Sequence, residues 1–185
     1  MKREKLEKML DKSRKNRSVL TGYIGKDKAY YSFIVLDRSD ELVLAARDED
    51  FQIDGYLIFE INKIRKLIGY KTKKYSEIMH AEGVLDALTI PQLNLKSYEG
   101  LFKEFRKANR VISMDVENDE HGYYIGNVET VNDKRVIFSY FDAEGEWFKP
   151  VKLKFKDIDV IYFEDRYAEV FSKYVPDRRR EKSKK

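Results

Sequence analysis

The chain has 185 residues, 38% of them charged and 42% hydrophobic, the balance of a soluble folded protein and not of a disordered or collagen-like chain. It has no cysteine, which excludes disulfides, thiolate nucleophiles, iron–sulfur clusters and cysteine-based zinc sites. The net charge of +4 comes from the two ends: residues 1–17 carry eight basic and three acidic side chains and residues 174–185 six and two, whereas the 156 residues between them hold 23 basic and 28 acidic ones.

The basic opening segment, MKREKLEKMLDKSRKNR, predicts a helix with Leu6, Met9 and Leu10 on one face. It is not followed by the apolar stretch of about 7–15 residues that a signal peptide needs. No apolar run in the chain approaches the roughly 18–20 residues of a membrane span, so the expected compartment is the cytoplasm. Gly22-Tyr-Ile-Gly25-Lys26 reads as part of a hairpin and is too short for a phosphate-binding loop. Strands follow from Ala29 (AYYSFIVLDRSDELVLAA), then a long turn that ends at Asp54-Gly55, then GYLIFEINKIRKLI, in which Leu57, Phe59 and Ile61 recur at period two.

Residues 76–96 form a linker that is apolar where a free tether would be polar. A short helix there ends near Gly83, and Pro91 blocks its continuation. Ile78, Met79, Val84, Leu85, Leu88, Ile90 and Leu93 predict that this segment packs between the two halves and holds them in a fixed relation.

The second half opens with SYEGLFKEFRKAN, a helix capped by Ser97 with Tyr98, Leu101, Phe102 and Phe105 on one face. RVISMDVE places Val111 and Ser113 on one side of a strand and Ile112 and Met114 on the other. GYYIGNVETV, RVIFSYF, PVKLKF and DVIYF read as four more strands, with Val151, Leu153 and Phe155 sharing a face. The segment from Gly122 lies without gaps over the segment from Ala29: Tyr30 meets Tyr123, Tyr31 meets Tyr124, Val35 meets Val128 and Val43 meets Val136. After a one-residue slip, Ile64 falls on Ile158 and Leu67 on Ile161, so the chain is read as a repeat of one helix and five short strands.

The expected fold is therefore mostly β with short helices: two tandem small antiparallel barrels, each preceded by a helix. Residues 1–75 hold the first helix and barrel, 76–96 the linker, 97–174 the second helix and barrel, and 175–185 a basic tail expected to be disordered. This order, with a ΦxxΦ link before the last strand (Ile61-Asn-Lys-Ile64 and Phe155-Lys-Asp-Ile158), resembles an Sm-like or SH3-like small barrel. DGYLIFEINKIRKL is similar to a segment of bacterial proteins built from two such units, and the likeness covers most of residues 18–174. The Sm-like resemblance implies RNA binding through an Asp/Asn loop after the second strand and an Arg-Gly or Lys-Gly pair between the fourth and fifth. Asp40 and Asn132-Asp133 fall near the first position, while Asn62-Lys63 and Lys156-Asp157 stand where the second would be.

Catalytic signatures are missing. His80 and His121 are the only histidines and have no cysteine to share a metal with; His80-Ala-Glu82 lacks the downstream cysteines of a zinc deaminase. Asp115-Val-Glu117-Asn-Asp119 has oxygens at alternate positions, but Glu120 and Gly126 stand where a calcium loop needs Gly and Glu. Asp48, Glu49, Asp50 and Asp54 read as loop solvation. The sequence contains no G-x-S-x-G, G-x-x-x-x-G-K-[ST] or G-x-G-x-x-G pattern. The expectation is a protein that is not an enzyme and uses no cofactor.

Aromatic residues offer the candidate interaction surface: Tyr30, Tyr31, Tyr123 and Tyr124, one of each adjacent pair facing outward, and Trp147 in the turn before the fourth strand of the second half. Arg178, Arg179, Arg180 and Lys182 are the candidate nucleic-acid tail. The expected function is a non-catalytic protein-interaction or regulatory adaptor, a monomer or dimer with a protein partner; the alternative is a binder of RNA or single-stranded DNA of Sm-like type.

Overall fold

The computed structural model describes residues 2–26, 29–119 and 121–176. The described residues are mostly β, with four short helices. The first half comprises α1 (Arg3–Asn16), β1 (Leu20–Ile24), β2 (Ala29–Arg38), β3 (Leu42–Glu49), β4 (Gln52–Glu60), β5 (Ile64–Tyr70) and α2 (Lys73–Ala81). The second comprises α3 (Tyr98–Lys107), β6 (Ile112–Val116), β7 (Tyr123–Val131), β8 (Arg135–Tyr140), β9 (Val151–Lys154), β10 (Ile158–Phe163) and α4 (Arg166–Phe171). The two ΦxxΦ links form single 3-10 turns at Ile61–Lys63 and Phe155–Asp157.

All ten strands pair antiparallel in one sheet, in the order β5-β1-β2-β3-β4-β10-β6-β7-β8-β9. Each half has its fifth strand beside its first, followed by the second, third and fourth. In place of two closed barrels there is one continuous, unclosed sheet. The edge that β4 would otherwise expose is paired with β10, through Ile58↔Ile161, Leu57↔Tyr162 and Tyr56↔Phe163, so the two halves share a ladder.

The strands form as their alternation predicts, but β3 and β4 are buried on both faces. On one face Leu42, Leu44, Tyr56 and Ile58 join a core that runs through the second half to Ile112, Phe138 and Phe163. The linker and α3 roof this core: Met79, Leu85 and Leu95 are buried in it, and so are Tyr98, Leu101, Phe102 and Phe105 of α3. Ser97 caps α3, its Oγ accepting the Gly100 N–H at 3.1 Å. On the opposite face Val43, Ala45, Leu57 and Phe59 pack with Leu6 and Leu10 of α1, and Val160 of β10 completes that core. The first half thus borrows a wall from the second.

Buried Ser13 fastens α1 to β2, donating to Ser18 O at 2.7 Å and accepting the Val35 N–H at 3.1 Å beyond the last β1–β2 pair, Leu20↔Phe33. The β3–β4 turn falls at Asp50–Phe51 and not at Asp54-Gly55, which lie within β4. Both turn residues are left-handed, φ 46° and 68°, as a two-residue hairpin of the right twist requires. Phe51 is held there by stacking on Tyr75 at 4.1 Å and by its N–H, which donates to Tyr75 Oη at 3.0 Å.

The sheet curls until the turn after β1 meets β10. The Lys26 N–H donates to Asp159 Oδ2 at 2.9 Å, and Lys63 Nζ lies 2.8 Å from Asp159 Oδ1 and 3.1 Å from Glu117 Oε2. Burial alone would lower the Lys63 pKa, but hydrogen bonds to Asp159 and Glu117 outweigh it and hold the ammonium above its ordinary value. The residues read from sequence as a failed calcium loop are partners within the fold: Asp115 for two tyrosines, Glu117 for Lys63, and Asp119 for Tyr124. Of the acidic cluster in the first half, Asp48 is no loop solvent but is buried against Tyr75 Oη at 2.9 Å and Lys71 Nζ at 3.0 Å.

Candidate functional site: a tyrosine-lined cleft where the halves meet

Period-two alternation puts Tyr31 of β2, Arg47 of β3, Tyr162 of β10, Ser113 and Asp115 of β6 and Tyr123 of β7 on the face opposite the shared core. Three strand spacings, roughly 14 Å on a flat sheet, separate β2 from β10. The curl closes that distance, and Tyr31 Oη meets Tyr162 Oη at 2.6 Å. Both hydroxyls converge on Asp115 Oδ2, Tyr31 at 3.3 Å and Tyr162 by a shorter bond. Burial, reinforced by the Asp115 carboxylate, raises the pKa of both phenols far above its ordinary value, so they remain neutral donors.

Around this triad lies an open cleft of about 410 Å³. Tyr30, Tyr123 and Tyr167 line it with half-exposed rings, 54%, 43% and 55% accessible. Among the described residues Arg47 is its single basic side chain and is already engaged, by Glu49 and by Asp54 Oδ2 at 3.6 Å. Three carboxylates line it as well: Asp54, Asp115 and Asp165.

The wall carrying Asp165 is built by Gly55. Its φ is +69°, and a Cβ there would lie 2.5 Å from Asp165 N and 2.7 Å from Asp165 Cα, so only glycine lets β4 approach the chain as it leaves β10. Asp54 Oδ1 accepts the Arg166 N–H at 2.8 Å, and Asp165 Oδ1 caps α4 by accepting the Ala168 N–H at 2.9 Å. Asp165 is 6% exposed, and its second oxygen, Oδ2, is buried with no hydrogen-bond partner. An unsatisfied buried acceptor of this kind costs about 1–3 kcal/mol, and more when charged.

Of the residues singled out by sequence, Tyr30, Tyr31 and Tyr123 are brought together in this cleft. The aligned outward members, Tyr30 and Tyr123, come from opposite halves and face one space. Tyr124 is instead a core residue, 2% exposed, donating to Asp119 Oδ1 at 2.5 Å and packed edge-on to Tyr140. Trp147 stands elsewhere, its ring against Phe141 at 5.0 Å and its Nε1 donating to Pro176 O at 2.8 Å. Arg178, Arg179, Arg180 and Lys182 lie outside the described residues. Sequence reading missed Arg47, Tyr162, Asp165 and Tyr167 as site residues. The one local signal was Asp165 as an N-cap before Arg166-Tyr-Ala168, and it says nothing of what lies across the sheet.

Among the described residues no group of histidines and carboxylates is placed to hold a metal, and no helix is long and apolar enough to cross a membrane. No protein-family model, curated protein or solved structure matches the chain.

Proposed function

We propose that this is a non-catalytic interaction protein that binds a segment of a protein partner in the tyrosine-lined cleft. The observation that carries the reading is the cleft's composition among the described residues: five tyrosines from both halves, three carboxylates, and one guanidinium that is already paired. Tyrosine supplies large, rigid contact area with a polar tip, which suits a protein interface. A nucleic-acid backbone would bring phosphates against three aspartates, and the Asn62-Lys63 corner, where the Sm-like resemblance implies a basic loop, sends Lys63 inward to Asp159. In this reading each half derives from one small-barrel unit, which the twice-used strand order supports, and the halves act as one body in the cytoplasm, as a monomer or dimer.

The test is fluorescence anisotropy of the full chain with labelled random-sequence peptide pools and with labelled single-stranded RNA, repeated on Tyr30→Ala/Tyr123→Ala. Peptide binding that weakens at least tenfold in the variant is expected. RNA binding that depends on the same two tyrosines would overturn the reading in favour of a nucleic-acid binder, and an absence of peptide binding would remove the cleft as the interface.

A further inference from the structure

We infer that the group this cleft recognises is a cationic side chain, the guanidinium or ammonium of an arginine or lysine on the partner. The inference rests on the interaction reading above and adds the chemistry of the anchor. Among the described residues three carboxylates face one guanidinium in the cleft, and the guanidinium is held by Glu49 and Asp54, so their uncompensated charge is negative. Two of the carboxylates are committed within the fold: Asp115 accepts the hydroxyls of Tyr31 and Tyr162, and Asp54 accepts the Arg166 N–H and faces Arg47. The third is the independent sign of a ligand. Asp165 lines the cleft, is more than nine-tenths buried, and has one carboxylate oxygen with no donor.

That oxygen is enclosed, so a donor from the cleft reaches it as the lining side chains part; a charged N–H is preferred, because a charge-assisted hydrogen bond is shorter and stronger than a neutral one. The surrounding rings favour the same occupant. Tyr30, Tyr123 and Tyr167 are half-exposed, and the negative faces of tyrosine rings attract ammonium and guanidinium groups. A phosphate or carboxylate would meet like charge from Asp54, Asp115 and Asp165, and a purely apolar side chain would leave Asp165 Oδ2 unpaired. At about 410 Å³ the cleft has room for the aliphatic stem of the cation and for backbone on either side of it.

The experiment follows the tyrosine ring signals of the full chain by NMR while acetylated, amidated pentapeptides are added: Gly-Gly-Arg-Gly-Gly, its lysine counterpart, and a neutral isostere with citrulline in place of arginine. Arginine and lysine peptides are expected to shift the Tyr30, Tyr123 and Tyr167 signals with at least fivefold lower Kd than the citrulline peptide. Asp165→Asn should abolish that preference while keeping the fold, because asparagine caps a helix as well as aspartate does. Tyr167→Leu, which removes a ring at an exposed position, should weaken both cationic peptides severalfold and provides a second reading if Asp165→Asn melts early. Equal binding of the citrulline peptide, or an Asp165→Asn protein that keeps its preference for charge, would overturn the inference. Neutral or acidic peptides that bind at these rings and are lost on Tyr123→Ala would sink the cationic anchor and leave the protein-interaction reading in place.

Discussion

Gly55→Ala is the sharpest test of how the cleft is assembled. Two costs add at this position. Alanine at φ +69° is left-handed, at about 1–2 kcal/mol, offset by about 0.4–1 kcal/mol from a less flexible unfolded chain. Its Cβ would also sit 2.5–2.7 Å from backbone atoms of Glu164 and Asp165, which move only if the segment after β10 moves, and overpacking of this kind costs about 1–3 kcal/mol. The net loss is therefore about 1–4.6 kcal/mol. Gly83→Ala is the matched control: its φ is +73°, yet beyond its immediate chain neighbours no atom of the described residues lies within 4 Å of a Cβ there. It should lose only about 0–1.6 kcal/mol, so Gly55→Ala exceeds it by the overpacking cost of about 1–3 kcal/mol. At about 2–4 °C per kcal/mol for a chain of this size, thermal melts should show Gly83→Ala lower by at most about 6 °C and Gly55→Ala lower by about 2–12 °C more than that. Urea unfolding of both variants beside the parent gives the free energies directly. Equal losses at the two glycines would refute the argument, because the backbone at Glu164–Asp165 would then yield freely and Gly55 would not set the position of Asp165.

Three further outcomes are expected. Lys63→Met leaves buried Asp159 without its ion pair and should destabilise by about 3 kcal/mol, with urea titration as the check; a loss below about 1 kcal/mol would mean that the contact between the two halves at this corner is dispensable. In an ultraviolet titration of phenolate, Tyr31, Tyr124 and Tyr162 should stay protonated well past the ordinary value of 10.0, because burial raises all three. The raised folded-state pKa means that their share of stability is complete below about pH 10 and is lost as pH rises above it, so the late phenolate signal should coincide with alkaline unfolding seen by circular dichroism. Since one core runs through both halves and Val160 completes the other, calorimetry should show a single unfolding transition; two resolved transitions would contradict the shared core.

The local plan of this protein is written in its residues. Periods of 3.6 and 2 mark α3 and the strands of both halves, Ser97 marks a helix start, and the two ΦxxΦ segments mark the single turns before β5 and β10. Gapless alignment of Ala29 onward with Gly122 onward likewise pairs Tyr30 with Tyr123, the two outward rings of the cleft. These features depend on neighbours a few residues apart, which a linear reading sees. Burial of β3 and β4 on both faces does not: Tyr56 and Leu57 are equally apolar in sequence, and which partners cover each face depends on where the linker, α1 and β10 arrive.

The same limit governs the site. Asp54 read as a turn residue and Asp115 as an acidic strand end, because their partners, Arg166 and the hydroxyls of Tyr31 and Tyr162, lie far off along the chain. The amino-acid order by itself determined α1, α3 and most strands, the twofold use of one strand plan, and that one tyrosine of each adjacent pair faces outward; α4 and the place of the β3–β4 turn it did not. Only the tertiary structure decided that β4 pairs with β10 instead of closing on its own half. That one ladder curls the sheet, brings Tyr31 onto Tyr162, and sets Asp165 with an unpartnered oxygen in the wall of a cleft that neither half forms alone.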